Sequence, residues 1–291
     1  MQRLPIIAQA AEPDAFEAVQ QAAIEASGLE ISVERWQRKP HQLADAIAEL
    51  KGASDVVGAI IASPHKEKAA GLLTALSDDA RQSGAVDVVV RETTRLRGYN
   101  SDVDGVRAGL AEILPKVQGK WPKQAVVLGA GGGARAVVSV LISSGLQRVV
   151  VFNRHLHRAE ALVAHFARSA RHMELRAMPW HETIIETELA RSPLLVNTTI
   201  IGIGEGESPI PADLLQNDLF LLDLVLSRAS TPLMDEAKAR GGTVANGQTS
   251  FLAASAVTFR LLTGREAPAD VMRNALASTL VAPDGAAVVG D

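Results

Sequence analysis

The 291-residue chain contains the segment Ala125-Val126-Val127-Leu128-Gly129-Ala130-Gly131-Gly132-Gly133-Ala134-Arg135, and its fold class follows from that segment. A short apolar strand runs directly into a glycine-rich turn and then into a predicted helix over 134–143. The first glycine allows the tight turn, and the second lets the backbone approach a pyrophosphate. The start of the helix offers free N–H groups to phosphates. A dinucleotide site is therefore predicted at Gly129, Ala130, Gly131, Gly132, Gly133 and Ala134; the alternative is a glycine-rich turn without a ligand.

The next predicted strand ends at Phe152, where an NAD-binding protein usually carries an acidic residue for the ribose 2′-hydroxyl. This chain has Asn153 and Arg154 there, followed by Arg158. A guanidinium suits a 2′-phosphate because its charged hydrogen bonds match the phosphate oxygens. The sequence therefore favours NADP over NAD, although both arginines could also be solvated surface charges.

Two histidines, His155 and His157, lie in the same stretch. Their spacing of two residues does not put them on one helix face. We therefore expect no metal site there.

Strand-like and helix-like segments alternate along the chain. In the second half, six strands are predicted, at 125–128, 148–152, 174–178, 194–197, 220–223 and 243–245. Six such strands match the doubly wound dinucleotide-binding fold. In the first half, strands at 4–8, 29–33 and 56–62 alternate with helices at 13–27 and 40–51, and this pattern favours a mainly parallel sheet. A hairpin over 86–90 and 96–99 is expected to close that sheet.

Further helices are predicted at 102–114, 250–263 and 268–277. The polar stretch 115–122 is interpreted as a connection, and 283–291 as a frayed tail.

The composition excludes several classes of protein. Charged residues are 21% of the chain, and 29 basic against 33 acidic residues give a net charge of −4, which provides no electrostatic footprint for nucleic acid. The absence of cysteine rules out disulfides and thiolate ligands.

Neither a signal peptide nor a membrane span is evident. We expect a cytoplasmic monomer or homodimer that acts on a small molecule. Aromatic residues are only 3% of the chain, so its cores must be aliphatic.

Several motifs together resemble the shikimate dehydrogenase family. The segments similar to that family's motifs are Ser63-Pro64-His65-Lys66, Gly98-Tyr99-Asn100-Ser101-Asp102, the glycine loop, Asn153-Arg154, Val196-Asn197-Thr198-Thr199 with Gly202, and Gly247 with the stretch 259–264. The resemblance implies an N-terminal α/β substrate domain, a doubly wound Rossmann-type NADP-binding domain, and C-terminal helices that pack back on the first domain. The domains would be 1–103, completed by helices within 248–280, and 104–247.

The resemblance also implies the site residues. Lys66 and Asp102 would be the catalytic pair, Asp87 and Asn100 would bind substrate, and Thr198, Gly202 and Gly247 would join the cofactor site. Hydride transfer to or from a secondary alcohol needs a proton donor and acceptor at the oxygen. We expect burial to bring the pKa of Lys66 nearer neutrality and a neighbouring carboxylate to tune it.

From the residues alone, other interpretations of the pair stay open. Lys66 could be a first-turn surface residue behind the N-cap Ser63, and Asp102 or Asp104 could simply cap a helix.

The sequence departs from the family where substrate would bind. The family's Ser-x-Ser segment, which holds a substrate carboxylate, is replaced by the stretch 9–14, where Glu12 and Asp14 would repel an anion. Ile60-Ile61-Ala62 replaces Asn-Val-Thr, Asp87 replaces the asparagine of Ala-Val-Asn, and Leu226 and Ala254 replace a tyrosine and a glutamine. Each hydrogen bond lost from a bound polyol costs about 1–3 kcal/mol. We therefore predict a more apolar pocket and poor activity on shikimate.

The leading hypothesis is an NADP-dependent oxidoreductase of a secondary alcohol or ketone with an altered substrate. The alternatives are a non-catalytic NADP-binding sensor, which would not need Lys66, and a dehydrogenase acting on a folate-like cofactor.

Overall fold

The computed structural model describes residues 1–11, 14–93, 95–114, 121–202, 207–227 and 230–280. The chain divides into two compact units: Met1–Asp104 with Leu252–Asp291, and Gly105–Phe251. The first unit is thus made from both ends of the chain. Most of the predicted connection 115–122 and the whole predicted tail 283–291 lie outside the described residues.

The first unit is built on a six-stranded sheet with helices from both ends of the chain. Its strands are β1 (Gln2–Ala8), β2 (Ile31–Gln37), β3 (Gly58–Ile61), β4 (Ala75–Leu76), β5 (Val88–Arg91) and β6 (Leu96–Tyr99). Its helices are α1 (Ala15–Ala26), α2 (Leu43–Gly52), α3 (Lys66–Leu72) and α4 (Asp78–Ser83), with the start of α5 (Asp102–Ile113), most of α10 (Gly247–Thr263), and α11 (Ala269–Thr279). A 3₁₀ turn, Pro40–Gln42, precedes α2.

The strand order in this sheet is β2-β1-β3-β5-β6-β4. The hairpin β5–β6 is antiparallel as predicted, and β3 also pairs antiparallel with β5. The hairpin does not close the sheet, because the two-residue strand β4 adds to β6 in parallel. The prediction for β2 was too short at its C-terminal end, since all seven of its residues pair with β1.

The second unit contains an entirely parallel sheet. Its strands are β7 (Gln124–Leu128), β8 (Arg148–Asn153), β9 (Glu174–Pro179), β10 (Leu194–Asn197), β11 (Phe220–Asp223) and β12 (Thr243–Ala245). Its complete helices are α6 (Gly132–Ser143), α7 (Leu156–Phe166), α8 (Glu182–Leu189) and α9 (Pro232–Ala239), with a 3₁₀ turn at Ala212–Leu214. The order β12-β11-β10-β7-β8-β9 is that of the doubly wound fold, and the six predicted strands are confirmed.

Each sheet is covered by an aliphatic core, as the scarcity of aromatic residues predicted. One cluster in the first unit lies around Ile7, Leu43 and Leu50, with Trp36 as its aromatic member. A cluster in the second unit lies around Val126 and Leu195, with Phe152. Burying a side chain of this size contributes about 1.5–3 kcal/mol. These cores hold the loops at the strand ends, where the candidate site residues lie.

The C-terminal helices belong to the first unit. Helix α11 packs on α1, and Gln20 of α1 donates a hydrogen bond of 2.9 Å to the carbonyl oxygen of Ser255 in α10. Arg265, between the two late helices, donates to the carbonyl oxygen of Ser27 at 3.0 Å. The predicted return of the C-terminal helices to the first domain is therefore confirmed.

Candidate active site

Lys66 and Asp102 meet in the first unit. Lys66 is the first residue of α3, directly after the turn that follows β3, and Asp102 is the first residue of α5, after β6. The Lys66 Nζ lies 2.6 Å from Asp102 Oδ2, and the two side chains are 19% and 24% exposed. The backbone carbonyl of Lys66 also accepts a hydrogen bond from the N–H of Val86, which ties α3 to the start of the β5 segment. The structure therefore joins two residues 36 positions apart into one partly buried ion pair.

The turn before Lys66 differs from the capping alternative considered for the sequence. The N-cap of α3 is His65, not Ser63, and no side chain caps the helix. His65 is buried, and its Nε2 lies 2.9 Å from the carbonyl oxygen of Arg38. This contact fixes the turn from which Lys66 projects.

Asp87 is a second carboxylate beside the pair. Its side chain accepts hydrogen bonds from the N–H of Ser101 (2.8 Å), the hydroxyl of Ser101 (3.0 Å) and the N–H of Asp102 (2.8 Å). The residue is only 5% exposed. Because these bonds lie at the start of α5, Asp87 fixes the backbone from which the Asp102 side chain projects.

The electrostatics of the three groups are coupled. Burial disfavours the Lys66 ammonium, but the carboxylates of Asp102 and Asp87 outweigh burial, so the pKa of Lys66 is raised above its usual value. The prediction that this pKa moves toward neutrality was wrong in direction, because it counted burial and did not place a second carboxylate nearby. Burial and the Asp102 charge together raise the pKa of Asp87 to about 7.

Asn100 and Ser101 complete the packing around the pair. The Asn100 amide donates to the Ser83 hydroxyl at 2.9 Å and to the Ala85 carbonyl at 3.1 Å, so both of its hydrogens are used inside the protein. The hydroxyls of Ser101 and Thr258 lie 3.0 Å apart, which links α5 to α10. Asn100 is 3% exposed and offers a bound molecule little surface.

A further cluster of charges lies at the start of α1. Asp14 caps this helix through the N–H of Glu17 at 3.0 Å. Arg35 of β2 lies 3.0 Å from Asp14 and 2.8 Å from Glu17, so one guanidinium serves two carboxylates. Asp14 belongs to the stretch 9–14 that replaces the family's Ser-x-Ser segment; Glu12 and Pro13 lie outside the described residues.

The glycine loop occupies the carboxyl end of β7. Gly129 has a positive φ of 104°, and a Cβ there would collide with Thr198 Oγ1. Gly131 is the N-cap of α6, and the space beside its Cα is empty to 4 Å. Thr198 follows β10, the strand beside β7, and its hydroxyl donates to the Leu128 carbonyl. The order of successive strands across the sheet reverses between β7 and β10. Ligands of this fold bind in the crevice at that point.

The predicted 2′-phosphate residues lie at the end of β8. Asn153 donates to the carbonyl oxygen of His155, the N-cap of α7, at 3.0 Å. Arg154 and Arg158 are exposed, and within the described residues neither has a carboxylate within 4.0 Å. The two guanidinium groups are therefore open to an external anion.

The remaining predicted cofactor residues lie on loops after β10 and β12. Gly202 is buried with a φ of 117°, and Gly247 begins α10 so close to the Leu224 and Val225 carbonyls that a Cβ would lie 2.6 and 2.7 Å from them. Asn197 holds the first of these loops by accepting from the N–H of Thr199 at 3.0 Å. Its amide donates to Asp223 at 2.9 Å.

Comparisons with known proteins decide the family. Residues 13–89 match the model of the shikimate dehydrogenase substrate binding domain, and residues 112–228 match that of shikimate / quinate 5-dehydrogenase. A shikimate dehydrogenase (NADP(+)) of Geobacter metallireducens is 35% identical over 263 residues, which are 90% of this chain and 91% of the relative. The chain belongs to the shikimate dehydrogenase family.

Several solved structures share the fold. Shikimate 5-dehydrogenase of Thermus thermophilus, in complex with NADP(H) and shikimate, superposes with a TM-score of 0.78 at 33% identity, covering 96% of this chain and 100% of the other. A 5-ketofructose reductase of a Gluconobacter species superposes with a TM-score of 0.79 at 25% identity, covering 95% and 98%. As a shikimate dehydrogenase family member, the chain is an NADP-dependent oxidoreductase acting on CH–OH groups, with an N-terminal substrate domain and a Rossmann-type domain.

The residues of this shikimate dehydrogenase family member fit NADP. The open space beside Gly131 and the start of α6 suit a pyrophosphate. The guanidinium groups of Arg154 and Arg158, which have no carboxylate partner among the described residues, suit a 2′-phosphate.

Two classes of site are absent from the described ranges. They hold no group of three or more histidines or carboxylates able to bind a metal ion. They also contain no helix that is both long and apolar enough for a membrane span.

Sequence reasoning missed four polar residues around the two parts of the site: Ser101, Thr258, Asp223 and Arg35. Asp223 is buried and accepts from Thr231 at 2.6 Å and Asn197 at 2.9 Å, and its burial raises its pKa. Thr258 is 157 positions from Ser101, so no local pattern could pair them. An acidic residue at the end of a buried strand was the only available signal for Asp223.

Proposed function

We propose that the Lys66–Asp102 pair is the proton-transfer centre of a dehydrogenase acting on the secondary hydroxyl of a small cyclic alcohol related to shikimate, with weak activity on shikimate itself. The observation that carries the proposal is the 2.6 Å contact between Lys66 Nζ and Asp102 Oδ2 in a partly buried position. A surface lysine without a catalytic role would not need this buried partner. The pair therefore favours an enzyme over an NADP sensor.

The two residues have different tasks. The Lys66 ammonium donates a proton to the substrate oxygen during ketone reduction, and the neutral amine takes a proton from the hydroxyl during alcohol oxidation. Asp102 accepts a hydrogen bond from the amine and orients it. When bound, the nicotinamide cofactor supplies or accepts the hydride.

The cofactor residues have separate roles in this proposal. The loop Gly129, Ala130, Gly131, Gly132, Gly133 and Ala134 contacts the pyrophosphate, and Asn153, Arg154 and Arg158 contact the 2′-phosphate. Thr198, Gly202 and Gly247 shape the loops of the same domain, 104–247. The domain 1–103, with helices from 248–280, holds the substrate, with Asp87 and Asn100 near the reacting group.

The changed substrate preference rests on apolar residues at positions where the family carries polar ones. Ile60 and Ile61 are buried, and Ala62 follows them at the end of β3, so three apolar residues precede the turn to Lys66. Leu226 and Ala254 add apolar side chains where the family has polar ones. The 5-ketofructose reductase with this fold supports a family scaffold that accepts ketones of other shapes.

The proposal is tested with purified protein, NADP or NADPH, and a panel of cyclic alcohols and ketones that includes shikimate. We expect turnover of at least one panel member, with shikimate a poor substrate. The Lys66→Ala variant should lose about a hundredfold or more in kcat, the usual contribution of a positioned proton donor, and keep its NADP affinity. Lys68→Ala is the matched control, because Lys68 is exposed and its amine donates to the Pro40 carbonyl.

Three results would contradict the proposal. Full activity in Lys66→Ala would remove the catalytic role of the pair. NADP binding without turnover of any panel member would favour the sensor instead. A shikimate efficiency equal to that on every other alcohol would overturn the altered preference.

A further inference from the structure

The charges around Lys66 are predominantly negative. Asp102 contacts its amine, and Asp87 lies directly behind Asp102, bonded to its N–H at 2.8 Å. The negative charge of Asp14 also acts on Lys66 and favours its ammonium form. Three carboxylates of the first unit therefore influence one amine.

The nearby cation does not balance this excess. Arg35 is shared between Asp14 and Glu17, at 3.0 and 2.8 Å, so its charge is already satisfied. Among the described residues, Asp87 has no cation within 4.0 Å of its oxygens. This cluster therefore holds four carboxylates and two cations, which are Asp102, Asp87, Asp14 and Glu17 against Lys66 and Arg35. An anionic substrate finds no free positive group in it.

Asp87 differs from the other carboxylates in how it is held. Both of its oxygens accept hydrogen bonds, from Ser101 and from Asp102, and its side chain is buried. A carboxylate has no hydrogen to donate. Asp87 therefore acts on a bound molecule through its charge and through the position of Asp102.

We infer that the Lys66 site selects substrates without a carboxylate, namely neutral cyclic alcohols and ketones, and that Asp87 sets this preference. The inference rests on the proposed function and names its substrate class. A cyclic hydroxy acid that reacts at Lys66 carries its carboxylate on the same small ring as the reacting hydroxyl. At the effective dielectric of a partly buried site, repulsion between unit charges about 7 Å apart lowers affinity about tenfold or more.

The sharpest probe is a pair of molecules that differ only in charge. Shikimate and its methyl ester share the ring and hydroxyls, but the ester is neutral. Measurements at about pH 8.5, above the raised pKa of Asp87, keep that side chain ionised. We expect the wild-type protein to prefer the ester by about tenfold or more in kcat/KM.

The variant Asp87→Asn removes the charge and keeps one oxygen, which can accept from the Ser101 hydroxyl and the Asp102 N–H. Its amide nitrogen then takes the place of the oxygen that accepts from the Ser101 N–H. The variant should raise the ratio of kcat/KM for shikimate to kcat/KM for the ester about tenfold, because any change in the position of Asp102 or in Lys66 affects both molecules alike. Asp78→Asn is the matched control, because the Asp78 side chain is fully exposed at 100% and belongs to an i,i+3 surface pair. If Asp87→Asn does not fold, the wild-type protein is measured at about pH 5.5, where Asp87 is mostly protonated, and the preference for the ester should fall about threefold or more relative to about pH 8.5.

Equal efficiency on the acid and the ester in the wild type, or an equal effect of Asp87→Asn on both, would overturn the inference. If neither molecule is turned over, calorimetric binding to the NADP complex decides: tighter binding of the ester supports the inference, and tighter or equal binding of shikimate, or binding of neither, overturns it. Failure of the proposed function has a different signature, because no member of the alcohol panel would then be oxidised and no ketone reduced.

Discussion

Thr198 Oγ1 donates a hydrogen bond of 2.7 Å to the carbonyl oxygen of Leu128. The N–H of Thr198 donates to the same oxygen at 2.8 Å. The two bonds join the residue after β10 to the last residue of β7. The residue after Leu128 is Gly129, and Thr198 fills the space that a side chain at position 129 would occupy. The loop proposed to hold the cofactor phosphates is therefore shaped from the strand beside it.

A first prediction concerns Gly129→Ala. The φ of 104° and the collision with Thr198 together should destabilise the fold by about 2 kcal/mol or more and weaken NADP binding. Thermal unfolding and NADP titration measure both effects. Gly71→Ala is the control, because it lies in a helix with open space and should be neutral or stabilising by up to about 1 kcal/mol. Unchanged NADP affinity in a folded Gly129→Ala protein would refute this role of the loop.

A second prediction concerns cofactor choice. Arg154 is exposed without a carboxylate partner in the described ranges, so its bonds are available to a 2′-phosphate. Removing one charge-assisted hydrogen bond costs about 1.5–3 kcal/mol. Arg154→Ala should therefore reduce the preference for NADP over NAD by about tenfold to a hundredfold. Dissociation constants for both nucleotides test this, with the exposed Arg168→Ala as control; an unchanged ratio would overturn the assignment.

A third prediction follows from the raised pKa of Lys66. Below that pKa the amine is mostly protonated, and its neutral fraction rises tenfold with each pH unit. Alcohol oxidation, which needs the neutral amine as base, should accelerate by about tenfold per unit between about pH 7 and 9. Ketone reduction, which uses the ammonium, should stay nearly constant over that range. Rate profiles in both directions measure this, and a flat oxidation profile would contradict it.

A fourth prediction concerns stability. The folded pKa of Asp87 is raised to about 7, whereas an unfolded aspartate titrates near about 3.9. The folded state therefore binds the proton more tightly, and the resulting stabilisation is complete below the unfolded pKa. It is lost as the pH rises to about 7, at a rate on the order of 1.4 kcal/mol per unit.

Urea denaturation at several pH values compares the wild type with Asp87→Asn. The variant should show a smaller loss of stability between about pH 4 and 7, because it lacks the titrating group. The hydrogen bonds from Arg3 lower the pKa of Asp55, so this exposed carboxylate contributes in more acidic solution and does not mask the difference. Parallel stability curves for the two proteins would show that Asp87 does not titrate in this window.

The sequence predicted the elements with strong local patterns. The strand before Gly129 and the helix after it follow from an apolar run next to a glycine turn, and the structure confirms both. Helix α4 and the two-residue strand β4 were missed, and α3 was anticipated only in the alternative interpretation of Lys66, because each is too short to repeat a pattern. The end of β2 was missed because Glu34 and Arg35 are polar, and only pairing with β1 keeps them in the strand.

Motif resemblance located Lys66 and Asp102, but the surroundings of the pair needed coordinates. Asp87 had been assigned from its alignment, without any sign that its oxygens bond to the start of α5. That arrangement joins residues from separate loops, and it reversed the predicted direction of the Lys66 pKa. Electrostatics within a site depend on distances that spacing along the chain does not encode.

The division of the chain has a consequence for biosynthesis. The first unit combines residues before Gly105 with residues after Phe251, whereas the second unit is one uninterrupted segment. On the ribosome, the second unit is complete before α10 and α11 have been translated in full. The apolar face of α1 that α11 covers thus stays without its partner until α11 has been translated. Nascent chains released early would expose that face, which makes them substrates for chaperones or proteases.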